Sequence, residues 1–182
     1  MRVKLGIPVA ARYEDVVSTM QYWAEQIDAV VIGSTIYKEG DLFYNRLLAV
    51  YPSGDYLHYD KHNCFKMGSF SPGTDHLVIN VGQHRFATYI CYDLRFAQWS
   101  KNNDRYDSAI YIANWPTSRA EDWSTLLQER AIENRAHVIG VNCVGTDPSG
   151  VQFMGGSRVI APDGMSLSIC KNDEEEILIV EY

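Results

Sequence analysis

The sequence has no apolar run approaching the ~20 residues that a membrane-spanning helix needs. It has no internal repeat and no low-complexity tract. It has no excess of positive charge: 16 Lys and Arg stand against 23 Asp and Glu, a formal net charge of −7. Binding to nucleic acid or to an anionic membrane surface requires a basic face, so neither partner is expected. The four cysteines, Cys64, Cys91, Cys143 and Cys170, are widely scattered, with no CxxC pair and no Cys/His cluster at zinc spacing. Neither a disulfide framework nor a metal site is indicated, and the usage suits a reduced, cytoplasmic protein. No glycine-rich phosphate loop occurs, and no cofactor is implied. Residues 1–10 are too short a stretch, interrupted by Gly6 and Pro8, for a secretory signal.

What remains is ordinary globular material. The 182 residues are 46% hydrophobic and 21% charged, enough for one domain over 1–182 with a real core. Residues 13–27 predict a helix, with Val16, Met20, Trp23 and Ile27 on an apolar face. Short apolar runs over 29–33, 43–51, 56–61, 76–81, 85–91, 107–114 and 138–144 predict strands. Turn residues separate several of them, as at Pro52-Ser53-Gly54-Asp55. A second helix is predicted over 123–137, with Leu126, Leu127, Ala131 and Ile132 inward. A last hairpin turns at Pro162-Asp163-Gly164, and residues 177–180 read as an edge strand after a solvated acidic run. Hairpins mixed with two helices indicate an α/β layered sandwich.

Three strand ends carry chemistry. The run Ile90-Cys91-Tyr92-Asp93-Leu94-Arg95-Phe96 ends a strand at a cysteine, where α/β enzymes place ligands. By position alone Cys91 is in keeping with a buried core thiol, since cysteine is among the most buried residue types. The second segment, Tyr59-Asp60-Lys61-His62, ends a hairpin strand at a lysine. Alone, Lys61 reads as a solvated charge. Beside a cysteine it would lower the thiol pKa and stabilise an oxyanion. The third segment, Ala113-Asn114-Trp115-Pro116, ends another strand in polar and aromatic residues, as a pocket wall or a core tryptophan would. A Cys–His protease arrangement is not supported: His62 follows Lys61 directly, and the other histidines form no recognisable set with Cys91.

Taken together, these segments resemble the nitrilase superfamily of carbon–nitrogen hydrolases, in its omega-amidase-like branch. Tyr59-Asp60-Lys61 is similar to that family's lysine motif and Ile90 to Phe96 to its cysteine motif. The blocks Ala113-Asn114-Trp115-Pro116, Arg130-Ala131-Ile132-Glu133-Asn134-Arg135-Ala136 and Gly155-Gly156-Ser157-Arg158-Val159-Ile160 follow in the family's order. The resemblance runs from about Met20 to the C-terminus and implies an α-β-β-α sandwich.

The resemblance also implies a reaction on a small linear amide. Cys91 would attack the amide carbon, Lys61 would stabilise the charged intermediate, and the Tyr92 N–H would complete the oxyanion hole. Asn114 and Trp115 would line the pocket, and Arg119 is the candidate to hold a substrate carboxylate, because a guanidinium fork suits one. Family members use two glutamates, one of them a general base in a Pro-Glu pair. No Pro-Glu pair occurs here, and the loop over 65–73 carries no acid. The expectation is therefore a family fold lacking its first strand-helix-strand unit, assembled as a homo-oligomer. A catalytically incomplete member acting as a binding or scaffold protein is the alternative.

Overall fold

The computed structural model describes residues 12–65 and 70–181. The backbone gathers into two compact units, Met1–Val81 and Gly82–Tyr182. The signal-peptide question falls on residues outside those described.

In the first unit, helix α1 (Tyr13–Ile27) is followed by strands β1 (Val31–Glu39), β2 (Leu42–Val50), β3 (Tyr56–Asp60) and β4 (Val78–Val81). Glu14 and Asp15 in the first turn complement the helix dipole. Asp28 ends the helix in the left-handed conformation at φ 49°. β1 and β2 form a long antiparallel hairpin, Val31 opposite Val50 through Glu39 opposite Leu42. The two-residue loop between them opens on Gly40 at φ +57°, a first-position glycine of the kind a type II′ turn uses. β3 pairs with the other side of β2, setting Arg46 opposite Asp60. With β2 central, Leu47, Leu48, Ala49 and Val50 are all fully buried.

The helix span matches the sequence reading, but its buried stripe does not. Tyr13, Val17, Met20 and Ala24 pack with Leu48 and Val50, while Trp23 and Ile27 are more than half exposed. Either register satisfies a three- and four-residue period. The structure uses the one whose small Ala24 and flexible Met20 allow close approach to the sheet; Met20 Cε lies 3.3 Å from where a Cβ on Gly33 would stand.

In the second unit, β5 (His84–Ile90), β6 (Ser108–Ala113) and β7 (His137–Asn142) lie side by side and parallel. β10 (Arg158–Ile160) runs antiparallel to β7, and β11 (Ser166–Ile169) antiparallel to β10. A small separate hairpin joins β8 (Val144–Thr146) to β9 (Gln152–Met154), which the sequence reading merged into β7 or left as loop. Helix α2 (Ala120–Asn134) crosses from β6 to β7 and ends on Arg135 at φ 49°. It starts three residues before the predicted span and ends three earlier.

Leu127, Ala131 and Trp123 are buried on α2, as are two polar residues, Arg130 and Asn134, whereas Ile132 is half exposed. Gly140 of β7 makes room for this face. A Cβ there would stand 2.5 Å from Leu127 Cδ1 and 2.8 Å from Trp123 Cζ2.

The edge strand expected over 177–180 does not form: those residues carry no strand pairing, and Ile177 and Ile179 are almost fully exposed. Their β-propensity has no neighbouring strand to satisfy it. The α/β class read from the sequence is the one observed.

A candidate active site at the carboxyl ends of parallel strands

β5, β6 and β7 each deliver a residue at the same end. Cys91 follows β5 directly, Asn114 follows β6, and Cys143 follows β7. In open α/β sheets ligands bind in the crevice outside the carboxyl ends of the parallel strands. Cys91 begins a single 3-10 turn, Cys91–Arg95, and holds φ +47°. A non-glycine residue in that region is sparsely populated, costs on the order of 1–3 kcal/mol, and tends to mark functional sites. The strain swings the thiol off the line of β5 toward the neighbouring strand, where Sγ–H points at the Asn114 carbonyl at 3.9 Å.

Polar groups that act on the backbone fix this geometry. Asp93, fully buried, accepts the Ile90 N–H at 3.0 Å. From α2, Arg130 donates Nε to the Leu94 carbonyl at 3.1 Å and is paired in turn with Glu133. Asn142, at the end of β7, clamps the loop after β6: its Oδ1 accepts the Trp115 N–H at 2.7 Å, and its Nδ2 donates to the Trp115 carbonyl at 3.2 Å and the Gly155 carbonyl at 2.8 Å.

Trp115 is buried, packs 5.5 Å from Trp123, and donates its indole N–H to the Arg119 carbonyl at 2.7 Å. The Arg95 guanidinium sits 5.1 Å from the Trp115 ring and pairs with Asp122. Tyr92 meets Phe96 edge-on at 5.3 Å.

The predicted set therefore divides. Cys91, Tyr92, Asn114 and Trp115 all lie in the turns that leave β5 and β6, whereas Arg119 is exposed at the entry to α2, joined to Trp115 through its main chain. Burial pushes the Cys143 thiol up, against a backbone hydrogen bond that lowers it, and the nearby Cys91 adds a smaller push in the same direction as burial.

Lys61 belongs to the first unit. The sequence reading made Lys61 the charged partner of Cys91, with a solvated surface charge as the alternative; it is only 7% exposed, and among the described residues no acidic side chain pairs with it. Its backbone is held on both sides, N–H to the Asn45 carbonyl at 2.9 Å and carbonyl to the Gly73 N–H at 3.0 Å. Just before it, Asp60 receives both prongs of Arg46, each at 2.7 Å. Arg46 in turn lies 3.6 Å from the Tyr37 ring.

The sequence reading missed Asp93, Arg130, Asn142 and Cys143. Asp93 and Arg130 stood inside quoted motifs, and the signal for Asp93 was its place three residues after a strand end, where Asp side chains commonly turn back on the main chain.

A cavity of about 320 Å³ starts at Asn142 and Cys143 and runs past Gly156 to Cys170. A wider polar cleft of about 660 Å³ lies at the opposite, amino ends of the strands, between His84, Asp107 and His137. Its lining contains no cysteine, serine or threonine, and its Arg85 and Asp107 are committed to each other at 2.8 Å. Among the described residues no three His, Cys, Asp or Glu side chains are grouped to hold a metal ion.

Comparison with known proteins shows the family of the chain. The profile of the carbon–nitrogen hydrolase family matches residues 8–182. The chain is 41% identical over 155 residues to the omega-amidase YafV of Escherichia coli K12, covering 83% of this chain and 60% of that protein. It is 30% identical over 151 residues to the 2-oxoglutaramate amidase of Bacillus subtilis, covering 76% and 56%. It therefore spans a little under two thirds of the length of these curated relatives.

Among solved structures it is similar to XC1258 of Xanthomonas campestris, a CN-hydrolase superfamily protein with an arsenic adduct in the active site. The TM-score is 0.85 at 32% identity, over 88% of this chain and 65% of that one. By profile, by sequence and by fold, the chain belongs to the carbon–nitrogen hydrolase family.

Proposed function

We propose that this chain carries the nucleophile of an omega-amidase-like hydrolase that releases ammonia from a small linear amide. The observation that supports it most is Cys91, held at φ +47° at the open end of three parallel strands. In this reading the Cys91 thiolate attacks the amide carbon, and the oxyanion that forms is met by the Tyr92 N–H and the Lys61 ammonium. The C–N bond then breaks, ammonia leaves with the proton it needs, and a thioester remains. Water adds to the thioester, releasing a carboxylate and restoring the thiol.

The similarity to an omega-amidase and to a 2-oxoglutaramate amidase supports a keto-acid ω-amide as substrate. Arg119, exposed near the pocket wall, is the group assigned to its carboxylate. A general base contributes roughly 10²–10⁴ in rate. The residues assigned here include none, so turnover by this set alone sits lower by that factor.

The test is ammonia release from 2-oxoglutaramate and simple aliphatic amides. Cys91→Ala lowers it by about 10³-fold or more if Cys91 is the nucleophile.

The scattered cysteines, none of them in a disulfide, support a reduced, cytoplasmic setting. Exposed Tyr22, Trp23 and Ile27 on α1 support self-assembly through that helix. Light scattering that finds a monomer at all concentrations contradicts the second point.

A further inference from the structure

The turn that carries Cys91 contains a buried charged group with no part in the reaction as written. Asp93 is fully buried, and its carboxylate reaches back across Cys91 to accept the Ile90 N–H at 3.0 Å. Its own carbonyl accepts the Phe96 N–H at 3.0 Å. The left-handed residue is thus bracketed by hydrogen bonds to one side chain and its main chain. Electrostatics alone argues against a carboxylate here, because a negative charge near a thiol disfavours the thiolate. What the group supplies is a strong, charge-assisted acceptor for a backbone donor next to a strained residue.

We propose that Asp93 is a positioning residue for Cys91. It holds the left-handed turn closed, so that the thiol projects over the end of β6 and the Tyr92 N–H stays aimed at the oxygen of the carbonyl that the thiol attacks. This rests on reading Cys91 as the nucleophile. The two properties of Asp93 then separate by mutation. Asp93→Asn keeps an oxygen that can accept from Ile90 but removes the charge; Asp93→Ala removes both. The other titratable and charged groups around the turn are Tyr89 on β5, Arg130 and Glu133 on α2, Arg95 with its partner Asp122, and Cys143 after β7. All are unchanged in both variants.

The experiment measures two things on the full chain. One is kcat and KM for ammonia release. The other is the pH dependence of Cys91 alkylation by iodoacetamide, with the site located by peptide mass analysis. Asp93→Ala is expected to lose about 10²-fold in kcat, the scale of a misplaced oxyanion donor, with KM within about threefold. Asp93→Asn is expected to keep kcat within about threefold, while its alkylation midpoint moves to lower pH.

Equal kcat values in the two variants overturn the proposal, and so does an unmoved midpoint in Asp93→Asn. If Asp93→Ala does not fold, Asp93→Ser, whose shorter side chain withdraws the acceptor from the Ile90 N–H, takes its place in the kcat comparison. If the wild type releases no ammonia but Cys91 still alkylates, the hydrolase reading fails on its own, and the midpoint shift still tests Asp93. A wild-type Cys91 no more reactive than Cys143 overturns both.

Discussion

Glycine at position 73 is required for space rather than for backbone freedom. A Cβ there would stand 2.1 Å from the Asp60 carbonyl oxygen, a backbone atom that cannot rotate away. The same residue donates its N–H to the Lys61 carbonyl, so any displacement is felt at the lysine. Gly73→Ala is therefore expected to lower stability by about 1–3 kcal/mol, as overpacking does, and to lower activity further than stability alone explains. A urea midpoint and a turnover rate that both match wild type contradict this.

Beside it, the Arg46–Asp60 pair is nearly buried, with side chains 10% and 16% exposed. Asp60→Ala strands a buried guanidinium, and the expected cost is roughly 3–5 kcal/mol. A loss under about 1 kcal/mol in denaturant unfolding would show that the pair is solvated and that Lys61 is framed by the backbone alone.

At the scale of elements, α2 and β7 meet across Gly140, and nothing but hydrogen fits between that backbone and the Leu127 and Trp123 side chains. Gly140→Val is expected to destabilise by several kcal/mol or to push α2 off the sheet, because both blocking atoms belong to a packed core. Near-ultraviolet circular dichroism of Trp123 reads the displacement; a wild-type spectrum and midpoint contradict the packing described.

Most strands and both helices were legible in the sequence, because apolar runs bounded by turn residues identify strands whatever their partners are. The face of α1 was not legible. Two registers of the apolar stripe fit the period, and only the sheet decides between Trp23 outward and Ala24 inward. Residues 177–180 misled for a related reason: their propensity is real, but a strand exists only when another strand is beside it.

The site divides in the same way. Cys91, Asn114 and Trp115 could be read as polar residues at strand ends. Arg130 and Asn142 act by gripping backbone atoms far along the chain, which leaves no spacing to detect, whereas Asp93 grips the Ile90 N–H three residues before it, a local spacing that the sequence did carry. Lys61 could be named from its motif, yet its burial is a property of the folded hairpin and the segment that returns through Gly73.

For the molecule as a whole, the ionisable groups set the direction of its response to acid. Burial holds His58 and His137 below the usual histidine value of 6.5, aided by Arg46 and His84 respectively. In the window just below 6.5 the unfolded chain binds more protons at these positions than the folded one, so stability rises with pH there and falls on acidification.

Hydrogen bonds from Arg85 hold the Asp107 carboxyl down to about 2. A depressed carboxylate contributes above its unfolded value near ~3.9 and loses that contribution as pH falls toward 2. The pair is more than a third exposed, so its share is small and screened by salt. The urea midpoint is accordingly expected to drop between pH 7.5 and pH 5, and His137→Asn to flatten part of that slope. A midpoint that is level or rises toward acid contradicts the assignment.

The central claim is that Cys91 performs covalent chemistry on an amide, and one measurement addresses it most directly: ammonia release from a keto-acid ω-amide by the wild-type chain and by Cys91→Ala, both shown to be folded. The account predicts release by the wild type that falls about 10³-fold or more in the variant. Equal release by the two proteins, or none from the folded wild type at high concentration, would contradict it and favour a family member that binds without cutting.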